Sequence, residues 1–292
     1  MIKRGVYAAG LSVLKEDLSL NIEATIAHAE TGIKRGLNGV FFFGSTGQSQ
    51  LISVSEKKEL ISKLATNRLK KQFFLGTGLN SLKENIDLIK YAMEYEFQDF
   101  LIMPPAYYKD NTDEGVFNFY SSIISKIPKI RIILYNFEKL SGYQFSSESV
   151  VNLVKKFPKN IIGCKDSGNN LFENLKINNF LMFPGSESKL LKGLELGCAG
   201  CISAVTNVTH SIAKKVFDDF ESNKNQTMNN KLIQVRETFD QYNLISALHT
   251  FMSIGNDNFK NLLPPLILLS ADKSNFFLSQ LKKLKFNPQE IE

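Results

Sequence analysis

No stretch of this 292-residue chain approaches 18 consecutive apolar residues, so no segment is expected to span a membrane. Cysteine is scarce: Cys164, Cys198 and Cys201 make an odd count, and the opening Met1–Gly10 runs into a strand-like segment rather than an export signal. A disulfide framework is therefore excluded, the thiols are expected to be reduced, and a cytoplasmic enzyme fits. The spacing Cys198-x-x-Cys201 has no second pair or neighbouring histidine cluster to complete a zinc set, so these thiols are expected as small apolar filler beside glycines. His28, His210 and His249 lie far apart with no ligand spacing and are expected to be structural, so no metal is expected. The Gly-Lys-Ser/Thr ending of a nucleotide P-loop and the spacing of a dinucleotide fingerprint are both missing, which excludes ATP and NAD. Charge of one sign is not concentrated either: the net +6 comes from scattered lysines, usually followed within a few residues by Glu or Asp. That pattern describes a solvated basic surface rather than a nucleic-acid interface.

What is present is a large apolar fraction, 43% against 22% charged residues, enough for a sizeable core. Short apolar runs alternate with longer segments of helical period, the signature of repeated βα units and a parallel sheet. Eight runs read as buried strands: Gly5–Ala9, Gly39–Phe43, Gln72–Gly76, Phe100–Met103, Ile130–Tyr135, Asn160–Lys165, Phe180–Pro184 and Gly200–Ala204. Amphipathic stretches lie between them, among them Ile22–Arg35, Ser55–Asn67, Leu82–Glu96, Val116–Lys126 and Ser147–Phe157, with Ser53, Ser55 and Ser81 as candidate caps. The length suits one closed (β/α)8 TIM barrel, which takes roughly 250 residues. From Ser211 onward the pattern is helical, interrupted by Pro264-Pro265, with no Pro/Gly/Ser-rich linker. The expected organisation is a barrel over residues 1–220 and a C-terminal helical segment over 221–292 packed on it.

Barrel chemistry sits where strands end, so polar residues closing apolar runs are the candidates. Lys165 closes Asn-Ile-Ile-Gly-Cys. A lysine there either pairs, with Asp166 as the obvious partner, or loses its proton and becomes a nucleophile of the Schiff-base kind. Holding it neutral near pH 7 costs about 4 kcal/mol of desolvation or charge repulsion. Gly44-Ser45-Thr46-Gly47 offers hydroxyls and successive N–H groups suited to a carboxylate or phosphate, and equally suits a plain turn. Tyr135 reads either as a packed aromatic or as a general acid–base beside the imine.

Taken in order, these segments resemble the dihydrodipicolinate synthase and N-acetylneuraminate lyase family over nearly the whole chain. The resemblance rests on Gly44-Ser45-Thr46-Gly47-Gln48, Pro105-Ala106-Tyr107-Tyr108 followed by Glu114-Gly115, Tyr135-Asn136, Gly163-Cys164-Lys165-Asp166, Pro184-Gly185-Ser186-Glu187 and Leu196–Ala204. It implies that Lys165 forms an imine with the keto carbon of pyruvate or a larger 2-keto acid and that Tyr135 relays the proton. It implies that Ser45 and Thr46 hold the carboxylate, with Thr46 linking Tyr135 toward Tyr107, and it adds Gly47, Gly185, Glu187 and Ser203 to the substrate-binding set. In the family the second tyrosine comes from a neighbouring subunit, so a homo-oligomer, tetramer or dimer, is implied, with no metal or organic cofactor.

Departures from the family pattern narrow the substrate. The synthases' arginine for the carboxylate of an amino-acid aldehyde is replaced here by Leu140, removing roughly 1.5–3 kcal/mol per charge-assisted hydrogen bond. Ser188 stands in place of the neuraminate lyases' second acid, Ala204 in place of their sugar-tail serine, Glu138 in place of the usual proline, and Ser12-Val13 in place of Thr-Pro. The expectation is a lyase or aldolase acting on a short 2-keto-3-deoxy sugar acid, giving pyruvate and a small neutral aldehyde. Dihydrodipicolinate synthase, with another cation replacing the missing arginine, is the alternative. A keto-acid-binding barrel without catalysis would need a disabled site, which the joint presence of Lys165, Tyr135 and Thr46 argues against.

Overall fold

The computed structural model describes residues 1–286, so the last residues of the expected helical segment, 287–292, lie outside the described residues. Eight parallel strands form the sheet: β1 (Gly5–Ala9), β2 (Gly39–Phe42), β3 (Phe73–Gly76), β4 (Asp99–Ile102), β5 (Arg131–Asn136), β6 (Ile161–Asp166), β7 (Leu181–Pro184) and β8 (Gly200–Ser203). Their ladder order is β7-β6-β5-β4-β3-β2-β1-β8. Ala199 closes the ring, its N–H bonding Met182 O at 2.7 Å while its carbonyl accepts from Gly5 N at 2.7 Å. The fold is the TIM barrel, and each expected strand is present with ends shifted by at most one residue. At β2 the cause is local: Phe43 turns into the left-handed region, φ 61°, and ends the strand one residue early.

The helices α1 (Ile22–Lys34), α2 (Val54–Ala65), α3 (Leu82–Glu94), α4 (Asp113–Lys126), α5 (Glu138–Ser141), α6 (Ser147–Lys156), α7 (Leu190–Glu195) and α8 (Thr206–Glu221) surround the sheet. Ser53 and Ser81 cap α2 and α3 as expected, accepting from Glu56 N and Glu84 N. Ser55 does not cap; it lies inside α2, because Ser53 and Glu56 form the reciprocal capping box and fix the start two residues earlier. α4 begins at Asp113 rather than Val116, where Thr112 accepts from Gly115 N and two acids, Asp113 and Glu114, occupy the first turn.

Alternation along the strands separates two apolar layers. Outward residues such as Val40, Leu75, Ile102 and Leu134 pack under the helices, while Tyr7, Phe41, Phe74, Leu101, Ile133 and Phe183 fill the barrel's interior. Tyr7 meets Phe41, Phe74 and Phe183 edge-on with ring centroids 5.6–5.9 Å apart, so the barrel is plugged by aromatics and open space remains only at the mouth. Three more helices follow: α9 (Asn229–Asp240), α10 (Leu244–Met252) and α11 (Ala271–Lys283). Phe239, Leu248, Phe251 and Phe277 from these helices share an apolar cluster with Leu11, Val13, Val205 and Val208 of the barrel's β1 and β8 side.

Candidate active site

Tyr135 and Lys165 are register partners on β5 and β6, so both side chains leave the sheet on the same face, the interior one. Lys165 is 3% exposed, and its Nζ lies 4.2 Å from the centroid of the Tyr135 ring. The ion pair with Asp166 does not form. Asp166 points to the opposite face, where its carboxylate accepts from Asn136 Nδ2 (2.8 Å) and from the N–H groups of Asn169, Leu171 and Phe172 at 2.8–3.0 Å. Strand alternation thus assigns the acid to loop ordering and leaves the amine to the cavity.

Above these two side chains opens a cavity of about 690 Å³, whose wall includes Ser45, Thr46, Tyr135, Lys165, Gly185 and Ser188. A single turn of 3-10 helix, Ser45–Gly47, closes Gly47 N on Gly44 O at 3.1 Å and Gln48 N on Ser45 O at 3.0 Å. These two bonds leave the Ser45 and Thr46 amides at the start of the turn unconsumed. Ser45 Oγ is 3.0 Å from Tyr135 OH, so the hydroxyl joined to the phenol belongs to Ser45, where the resemblance implies Thr46. The reason is the turn itself: it presents Ser45 toward β5. Gly185 has to be glycine, since a Cβ there would lie 2.0 Å from Ser167 Oγ.

Four other expected site residues do not form the cavity wall. Gly47 packs against the segment that follows β1, its carbonyl accepting from Ser12 Oγ at 2.7 Å. Tyr107 stands on the loop after β4, 80% exposed and with φ 87°. Glu187 and Ser203 are fully buried one layer beneath the wall, the serine hydroxyl donating to Glu187 Oε2.

Sequence reasoning missed what holds that layer. Arg236 of α9 reaches over the mouth, lining the cavity while its Nη1 sits 3.0 Å from both Glu187 Oε2 and Ser203 Oγ and its Nε donates to Asp240 at 2.8 Å. Glu187 and Asp240 raise the Arg236 pKa against the opposing effect of burial. Asp240, Tyr242 and Leu244 continue the wall, so the helical segment completes the site. In sequence the only signal was the Arg236/Asp240 pair at i,i+4, which reads equally as a solvated helix face.

Among the described residues no group of three or more His, Cys, Asp or Glu is arranged to hold a metal ion. The three thiols are free and buried, and burial pushes Cys198 up to about 11, far from a reactive thiolate.

The sequence profile of the Dihydrodipicolinate synthetase family matches residues 3–284. The chain is 26% identical over 290 residues, 96% of this chain and 98% of the relative, to the 4-hydroxy-tetrahydrodipicolinate synthase of Methanococcoides burtonii. It is 25% identical over 241 residues, 79% of this chain and 88% of the relative, to the 2-dehydro-3-deoxy-D-gluconate/2-dehydro-3-deoxy-phosphogluconate aldolase of Picrophilus torridus. The crystal structure of dihydrodipicolinate synthase from Agrobacterium tumefaciens superposes with a TM-score of 0.88 at 24% identity, covering 97% of this chain and 99% of that one. With a match spanning nearly every described residue and the same barrel beneath it, the chain belongs to the dihydrodipicolinate synthetase family.

Proposed function

We propose that this protein is a Schiff-base lyase of the class I aldolase type that cleaves or forms a 2-keto-3-deoxy sugar acid, with pyruvate as one partner. One observation carries the reading: a buried amine without a carboxylate partner among the described residues lies beside a tyrosine ring at the floor of a polar cavity. In the cleavage direction the Lys165 amine attacks the C2 carbonyl, and the carbinolamine hydroxyl takes a proton from the Tyr135 phenol and leaves as water, giving a protonated imine and a Tyr135 phenolate. The C4 hydroxyl then surrenders its proton to that phenolate, which restores the phenol. As the C3–C4 bond breaks, its electron pair passes into the iminium, leaving an enamine and a free aldehyde. Protonation of the enamine at C3 and hydrolysis of the imine release pyruvate and restore the amine. Ser45, bonded to Tyr135, shares the proton, and the amides and hydroxyls of Ser45 and Thr46 hold the substrate carboxylate. The reaction so written uses no metal or organic cofactor.

The aldehyde is read as neutral because, apart from the imine-forming Lys165, the wall offers no uncommitted buried cation: Arg236 is taken by Glu187 and Asp240. The surface charges on the wall also balance, Lys139 and Lys189 against Glu138 and Asp240. Lys139, adjacent to Leu140, is the specific observation that keeps the synthase reading as the second one. The named aldolase and synthase among the relatives support the two readings in turn.

Assaying pyruvate release from 2-dehydro-3-deoxy-D-gluconate alongside condensation of pyruvate with aspartate semialdehyde separates them; faster turnover in the second assay would replace the first reading. We further propose a homo-oligomer in which Tyr107 serves a neighbouring subunit's site, supported by the 80% and 74% exposure of Tyr107 and Tyr108. No described helix is long and apolar enough to cross a membrane, and the reading places the enzyme in the cytoplasm. It takes residues 1–220 as the barrel and the segment from 221 onward, described to residue 286, as the helical part packed on it.

A further inference from the structure

A second cavity, of about 330 Å³, lies outside the barrel between α1, α8 and the turn after α10, walled by His28, His210, Asn207, Met252 and Phe259 among others. Its hydrogen-bonding character follows from the fixed groups around it. Asn207 Nδ2 donates to the carbonyls of Ala9 and Ala204, both at 2.7 Å, so its Oδ1 is an acceptor and takes Leu11 N–H at 3.3 Å. His28 Nε2, 3.0 Å from that oxygen, therefore carries the proton, which leaves His28 Nδ1 as a bare acceptor. His210 has the opposite assignment. Its Nδ1 accepts Ser211 N–H at 2.8 Å, so Nε2 bears the hydrogen and is a free donor, on a side chain only 3% exposed. Neither His28 Nδ1 nor His210 Nε2 has a hydrogen-bond partner among the described residues.

The residues lining this cavity include no Asp, Glu, Lys or Arg. Burial lowers the pKa of both imidazoles, that of His210 to about 4, so the wall is uncharged at neutral pH. A protonated Nε2 cannot ligate a metal, so His210 does not complete a cation site with His28. At about 30 Å³ per water-sized unit the volume accommodates a molecule of roughly ten non-hydrogen atoms. Met252 and Phe259 supply an apolar surface for its body.

We propose that this cavity is a binding site for a small uncharged carboxamide, whose N–H donates to His28 Nδ1 and whose carbonyl accepts from His210 Nε2. The probe is nicotinamide, with nicotinate as its charged counterpart of the same shape. It is titrated into the full chain while the histidine ring resonances are followed by NMR and assigned with His28→Gln and His210→Phe variants. Nicotinamide is expected to shift the His28 and His210 rings saturably, with nicotinate at least tenfold weaker. His210→Phe, which keeps the ring and removes the donor, is expected to weaken binding about fivefold to tenfold. Ala27→Phe, an exposed position of α1 on the cavity wall, is expected to abolish it by filling the space without touching the core. Absence of a saturable shift, equal binding of nicotinate, or undiminished binding to folded Ala27→Phe would each overturn the proposal. The experiment does not use the catalytic reaction, so its outcome is independent of the function proposed above.

Discussion

Replacing Arg236 by leucine tests the buried charge network beneath the candidate active-site cavity. Glu187 is fully buried, its Oε2 accepts from Ser203 and Arg236, and its Oε1 has no partner among the described residues. Losing the guanidinium leaves an uncompensated carboxylate in the interior, a change that costs about 3–5 kcal/mol when one partner of a buried pair is removed. The exposed arm of the network, to Asp240, contributes little, since that carboxylate is 48% exposed. For a chain of this length the unfolding entropy is about 0.6 kcal/mol per kelvin, so the loss corresponds to a fall in Tm of about 5–8 °C. The control is the double variant Arg236→Leu/Glu187→Gln, which removes the stranded charge as well and is expected to recover at least half of the loss. Differential scanning calorimetry at neutral pH on the three proteins gives the comparison. A single variant within about 1 °C of the wild type, or a double variant no more stable than the single, would refute the claim that Arg236 neutralises Glu187, and with it the argument that the cavity lacks a free buried cation.

Two further outcomes follow from other parts of the molecule. Tyr135→Phe removes the phenol bonded to Ser45 and is expected to slow turnover by roughly 10²–10⁴ while imine formation persists; stopped-flow and trapping measurements check both halves. Lys57 is fully buried with its Nζ on Thr77 O at 2.9 Å, and burial lowers its pKa to about 8. Above that value the folded state binds fewer protons than the unfolded one, so this group adds stability as pH rises, by about 1 kcal/mol between pH 8 and 9. The buried thiols, raised by burial, pull the other way in the same range, so the measurement is the difference in Tm between wild type and Lys57→Met at the two pH values. That difference is expected to widen by about 1–2 °C in favour of the wild type, and a constant gap would contradict the assignment.

The barrel was legible because strands buried on both faces read as continuous apolar runs, and eight of them alternate with helical periods. The placement of Lys165 and Tyr135 at the mouth was legible too, since both close apolar runs on the strand face that points inward. What the sequence hid was three-dimensional pairing. Glu187, Ser203 and Arg236 span 49 residues and meet only because α9 folds back over the rim, so two side chains expected to touch substrate instead hold a third. Ser45 and Thr46 could not be told apart by composition, since the direction of a single 3-10 turn decides which hydroxyl reaches Tyr135. His28 and Asn207 lie 179 residues apart, so nothing in their spacing announced the cavity they share.

The most direct test of the catalytic reading is borohydride reduction of the protein with pyruvate, followed by peptide mass spectrometry. The account predicts a stable reduced adduct on Lys165, absent from Lys165→Ala and formed in Tyr135→Phe. An unmodified Lys165 after trapping, or an adduct on a different lysine that persists in Lys165→Ala, would contradict it.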